Sequence, residues 1–163
     1  MNKFMCRRYL LFCVSLFVNA LGIAFITKAA LGTSPITSVT YVLSMFTPFT
    51  IGQWTILLNL LFVILELFLM TREDLKSDLR MYLLQIPISF SFGMFIDLCM
   101  HYILFWLNPV EYVYMIVALL IGCVILVVGI ALEVKANAAM MAGEYFVKVI
   151  TRRFRGEFGY IKL

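Results

Sequence analysis

The chain has 163 residues, of which 64% are apolar and 13% charged, and its 13 basic and 9 acidic side chains leave a formal charge of +4. Its mean hydropathy is +1.02. A soluble domain carries about 25% charged residues, so a soluble globule, a disordered chain and a disulfide scaffold are all excluded, and an all-α polytopic transmembrane protein remains.

Residues 9–27 carry no charge, with Arg7 and Arg8 before them and Lys28 after. At about 1.5 Å per residue this run reaches roughly 28 Å, close to one hydrocarbon thickness. The basic start and Val18-Asn19-Ala20 would also suit a secretory signal, but the apolar run continues past Ala20 and several more follow, so a first spanning helix is expected. The next charge-free stretch, 29–65, is too long for one helix and is broken at Gly32-Thr33-Ser34-Pro35 and again near Thr47-Pro48. Ser34 reads as an N-cap and Pro35 as the first helical position. They open a short helix over 35–46, too short to span, which either re-enters the membrane or lies at its interface. A second span is expected over 51–70, with Glu66 near its end. The polar stretch 71–80 reads as a loop. A third helix over 81–107 contains Gln85, Pro87, Gly93, Asp97 and His101 and stops at Asn108-Pro109. A fourth covers 112–134, and a weakly apolar segment, 138–150, precedes a basic tail.

Four spans put loops on alternating sides. One side holds Lys3, Arg7, Arg8, Arg72, Lys76, Arg80, Lys148, Arg152, Arg153 and Arg155; the other holds Lys28 outright. The excess predicts a cytoplasmic N-terminus in a bacterial inner membrane. It accounts for the basic clusters without nucleic acid, and the expected surroundings are a lipid bilayer. The cysteines, Cys6, Cys13, Cys99 and Cys123, form no CxxC, and three lie in apolar runs where they act as small hydrophobes.

Gly22-Ile-Ala-Phe-Ile-Thr-Lys28-Ala29 and Gly129-Ile-Ala-Leu-Glu-Val-Lys135-Ala136 match at five of eight letters, 107 residues apart (129 less 22). Each copy ends a spanning helix and precedes a segment too short to span. Three spans lie between equivalent points, so the copies would be inverted in the membrane, as in many transporters. The single transmembrane domain then divides into a first repeat over about 1–107 and an incomplete second over 108–163. The full repeat would run to roughly residue 214, with two further spans. The second copy has Ala139, Met140, Met141 and Ala142 where the first has Gly32, Thr33, Ser34 and Pro35, and lacks that cap chemistry.

Gly22-Ile23-Ala24, Lys28-Ala29, Leu31-Gly32-Thr33-Ser34-Pro35, Leu84-Gln85-Ile86-Pro87 and Phe92-Gly93-Met94-Phe95-Ile96-Asp97 together resemble the YczE/YyaS/YitT-type bacterial membrane proteins. The resemblance covers essentially the whole chain. It implies an inner-membrane protein of a type often taken for a transporter, and it assigns no residue roles.

Asp97 is expected near the middle of the third span, where a carboxylate costs about 2.5–3.5 kcal/mol and must face protein or water. His101 follows at i+4, on the same face of an α-helix. The pair would either relay a proton or help hold a cation, or else lock the helix to its neighbours as a neutral hydrogen-bonded pair. Asn19 and Asn59 lie near the middle of the first and second spans and would converge with Asp97 at a midplane site, or simply bond helix to helix. Gln85 and the Ser34-Pro35 helix start, whose N–H groups could receive an anion, complete the candidates for a substrate or ion pathway. Lys28, Glu66, Glu133, Lys135 and Glu144 are expected to snorkel to water from helix ends. The chain has no P-loop, HExxH, GxSxG or dinucleotide turn, and its single His cannot build a multi-histidine metal site. Neither an enzyme nor a cofactor is expected. The leading function is a secondary transporter for a small solute or ion. The alternative is a non-transporting membrane subunit that assists or regulates another protein, and the expected protein partner is a second copy of the chain or another membrane chain.

Overall fold

The computed structural model describes residues 3–70, 72–107, 111–136 and 141–154. All regular structure in them is helical: α1 (Lys3–Lys28), α2 (Pro35–Phe46), α3 (Ile51–Leu69), α4 (Arg72–Leu98), a π-helical turn (Cys99–Ile103), α5 (Tyr112–Ala136) and α6 (Ala142–Phe154). Four stretches are long and apolar enough to cross a membrane: Arg7–Lys28, Ile51–Leu69, Tyr82–Ile103 and Tyr112–Ala136. The expected stop at Asn108-Pro109, the start of the last short segment at 138 and the tail beyond 154 lie outside the described residues.

Two boundaries differ from the sequence expectation. The stretch 71–80 is not a loop: from Arg72 it is the first part of α4, which runs on through Pro87. Most of its residues are good helix formers, so polarity there does not oppose a helix. At the other end α4 gives way at Cys99 to π winding, closed by Leu104 N–H donating to Cys99 O at 2.9 Å.

The chain forms two compact units. The first comprises Met1–Thr55 and Ser91–Ala138; the second comprises Ile56–Phe90 and Ala139–Leu163. In the first, α1 and α5 run antiparallel. A Cβ on Gly22 would lie 2.8 Å from the Leu126 backbone N, one on Gly122 2.8 Å from Ile26 Cγ1, and one on Gly129 would overlap the Asn19 side-chain amide. Arg8 Nε donates to Ala136 O at 3.0 Å at one end of the pair. Lipid tails are as apolar as Leu, so helices in a membrane associate by close backbone approach, and small residues permit it. Phe17 meets Phe95 edge-on, ring centroids 5.6 Å apart, and brings the end of α4 onto α1. In the second unit Phe62 of α3 stacks on Phe146 of α6 at 5.2 Å.

Polarity runs from inside outwards. Along α3, Ile51, Thr55, Asn59, Val63 and Glu66 are buried at helical spacing, while Leu57, Leu61, Ile64 and Phe68 are exposed. Gln85, Ser89, Phe92 and Ile96 form the buried stripe of α4, against exposed Leu83, Ile86, Phe90 and Met94. In water such a distribution would place apolar surface outside and polar atoms inside; in hydrocarbon it is the stable arrangement.

Candidate functional site

Asp97 binds the start of α3. Its Oδ1 accepts from Gly52 N at 2.9 Å and its Oδ2 from Thr50 Oγ1 at 2.6 Å. It therefore sits level with the first turn of α3, near one end of that span, where two unpaired donors and the positive end of the helix dipole welcome a carboxylate. Gly52 makes room: a Cβ there would strike Gly93 O and the Asp97 carboxyl itself. His101 lies in the π-turn and is exposed. Both Asp97 carboxylate oxygens are engaged by Thr50 and the first turn of α3.

Asn19 and Asp97 take separate bonding partners within the first unit. Asn19 Nδ2 donates to Glu133 Oε2 at 2.8 Å, across the α1/α5 pair. Asn59 is buried in α3 and belongs to the second unit. Ser34 is the N-cap of α2 as expected. Its Oγ accepts from Thr37 N at 3.2 Å and pairs with Thr37 Oγ1 at 2.8 Å, with Pro35 at the first helical position. Beside this helix start is an open cleft of about 250 Å³ lined by Thr27, Gly32, Thr33, Ser38, Tyr41 and neighbours.

Two acids expected in water are inside the protein. Glu133 is 7% exposed and accepts the Asn19 bond. Glu66 is 0% exposed and Gln85 is 1% exposed, and the two side chains are neighbours across α3 and α4. The two stop short of a bond: neither oxygen of Glu66 and neither amide atom of Gln85 has a hydrogen-bond partner. Tyr82, one turn before Gln85, donates to Val63 O at 3.2 Å, and Ser89, one turn after, donates to Gln85 O at 2.7 Å. Lys28 and Glu144 are half-buried and Lys135 is exposed.

A signal for Glu66 was present in the sequence. Thr55, Asn59 and Glu66 fall on one stripe of α3 at spacings of four and seven, so the polar face of that helix is its inner one. Likewise Gly122, Gly129, Glu133 and Ala136 share the face of α5 that α1 covers. Among the described residues no group of three or more His, Cys, Asp or Glu gathers as a metal ion would require.

The chain matches, over residues 6–163, the model of a family described as "Family of unknown function (DUF6198)", and it belongs to that family. That description does not carry the YczE/YyaS/YitT name suggested by the motifs. No curated protein and no solved structure matches it significantly.

Proposed function

Starting from a family whose activity is open, we propose that this chain is a secondary transporter for a small solute or ion, set in a bacterial plasma membrane with its N-terminus in the cytoplasm. The observation that carries this reading is the burial of Glu66 and Glu133 within spanning helices. Ionisable groups there are costly, and they concentrate along substrate and proton pathways. Two features add support. α2, with 12 residues, is too short to cross and opens on a capped N-terminus beside a cleft, the kind of broken helix that transporters use. α6 begins at Ala142, 107 residues after Pro35 opens α2, the same offset that relates Gly22 to Gly129. Helices α1 and α5, which carry those glycines, run antiparallel, as two inverted copies would.

A non-transporting membrane subunit is the second reading, favoured by the Asn19–Glu133 bond, which ties α1 to α5 as structural glue. Reconstitution separates the two. Purified chain in liposomes with a pH dye or tracer inside should give solute-dependent flux, lost in Glu133→Gln while the variant still folds. No flux with any solute pool, together with a stable partner after mild extraction, would establish the subunit.

A further inference from the structure

Four polar atoms in the second unit are buried without a protein partner: Glu66 Oε1 and Oε2 on α3, and Gln85 Oε1 and Nε2 on α4. Their chemistry is complementary in only one protonation state. An ionised carboxylate has acceptors alone, so it could take the Gln85 N–H but would set its other oxygen, and a full charge, against the Gln85 carbonyl. A protonated carboxyl has one donor and one acceptor. It meets a carboxamide reciprocally, Glu66 O–H donating to Gln85 Oε1 while Gln85 Nε2 donates to the Glu66 carbonyl oxygen. One proton therefore satisfies all four atoms once the two neighbouring side chains close on each other.

We infer that Glu66 and Gln85 form a proton-binding site that latches α3 to α4. The proton comes from water and binds a carboxylate oxygen, and the reciprocal pair closes. On release the proton returns to water, Gln85 Oε1 loses its donor, and the two helices are held less tightly. Glu66 lies three residues from the end of α3, and Gln85 three residues into the Tyr82–Ile103 span, so both stand close to the polar end of their helices. That end is the side from which a proton would enter.

The ionisable groups around the pair fit this role. α3 carries no other charged residue. From α4, Tyr82 lies near Glu66, and its hydroxyl donates to Val63 O. α6, stacked on α3 through Phe62 and Phe146, carries Glu144, Tyr145 and Lys148, and the Lys148 ammonium lies over the Tyr145 ring at 5.3 Å.

The latch does not require transport, and its test needs no flux. The full chain in nanodiscs is followed by infrared spectroscopy from acid to alkaline pH, with Glu66→Gln to assign the band. A protonated-carboxyl band that fades with rising pH and is missing from Glu66→Gln is the expected result. The folded state then holds a proton that the unfolded state releases, so stability falls as pH rises. The unfolding constant should grow by up to about tenfold per pH unit through the titration. Glu66→Gln, a fixed stand-in for the protonated acid, should be as stable as wild type at low pH and insensitive to pH across that range. Gln85→Leu should abolish the pH-dependent gain. A Glu66 band absent at every pH, meaning an ionised group bridged by water or sodium, would overturn the latch, as would a pH profile unchanged in Glu66→Gln. Titration without flux would leave the latch standing and remove the transport reading; flux without titration would do the reverse.

Discussion

Asp97 offers the most direct trial of the difference between sequence position and structural place. Its carboxylate accepts two bonds, from Gly52 N and Thr50 Oγ1. Bonds to a charged acceptor contribute about 1.5–3 kcal/mol each, and a negative charge at a helix start adds about 0.3–1 kcal/mol. Asp97 is half-buried, so the lower ends of these ranges apply, and Asp97→Ala should cost about 3–4 kcal/mol. Asp97→Asn keeps an acceptor for Gly52 N but loses the charge, and should cost about 1–2 kcal/mol. The reporter is built in. Trp54 lies one turn into α3, its Nε1 donating to Thr47 Oγ1 at 2.7 Å and its ring meeting Phe49 edge-on. Fluorescence of Trp54 in a Trp106→Phe background, followed through denaturant unfolding in detergent, should show local loosening before global unfolding in Asp97→Ala. His101→Ala, exposed in the π-turn, should match wild type. Wild-type unfolding for Asp97→Ala, with flux abolished in Asp97→Asn, would refute the capping role and restore Asp97 to a pathway.

Three further substitutions probe other parts of the structure. Gly129→Ala places a methyl against the Asn19 backbone N at 2.9 Å and into the space of its amide; unfolding should show a loss of about 1–3 kcal/mol, as overpacking costs. Gly32→Ala meets no neighbour within 4 Å, yet its φ of +146° is one that side chains rarely adopt, so a loss of about 1–3 kcal/mol should come from backbone strain alone. Ser34→Ala removes the α2 cap and should cost about 1 kcal/mol, read as faster amide exchange confined to the first turn of α2; exchange spread over the whole helix would point to a larger role for Ser34.

The membrane architecture was legible because it rests on long-range averages of composition. Apolar runs marked the four helices long enough to span, and Ser34-Pro35 marked the start of α2 to the residue. The first turns of α4 were misread because polar residues signal exposure, not the absence of a helix; Arg72–Arg80 is polar and helical at once. The site was less legible, since depth along a helix is not depth in the protein. Asp97 looked central by residue count, but the turn at 47–50 brings the start of α3 to its level. Glu66 looked peripheral by the same count, and is enclosed because its stripe of α3 faces inward. The break to π winding at Cys99 has no marker in the local sequence.

The glycines and the buried acids are parts of one arrangement. A carboxylate can stay inside a spanning helix only where another polar group reaches it, and reach across two helices is set by how closely their backbones approach. Gly129 lets α1 come so near α5 that the Asn19 amide occupies the space a Cβ would need, and from there Nδ2 bonds Glu133 one turn along. A larger residue at 129 would push the helices apart and leave Glu133 without the Asn19 bond, so the steric and electrostatic costs would arrive together. Gly129→Ala and Glu133→Leu should therefore be non-additive, the double variant losing less stability than the two single losses combined. Additive losses would mean that the glycine serves packing alone.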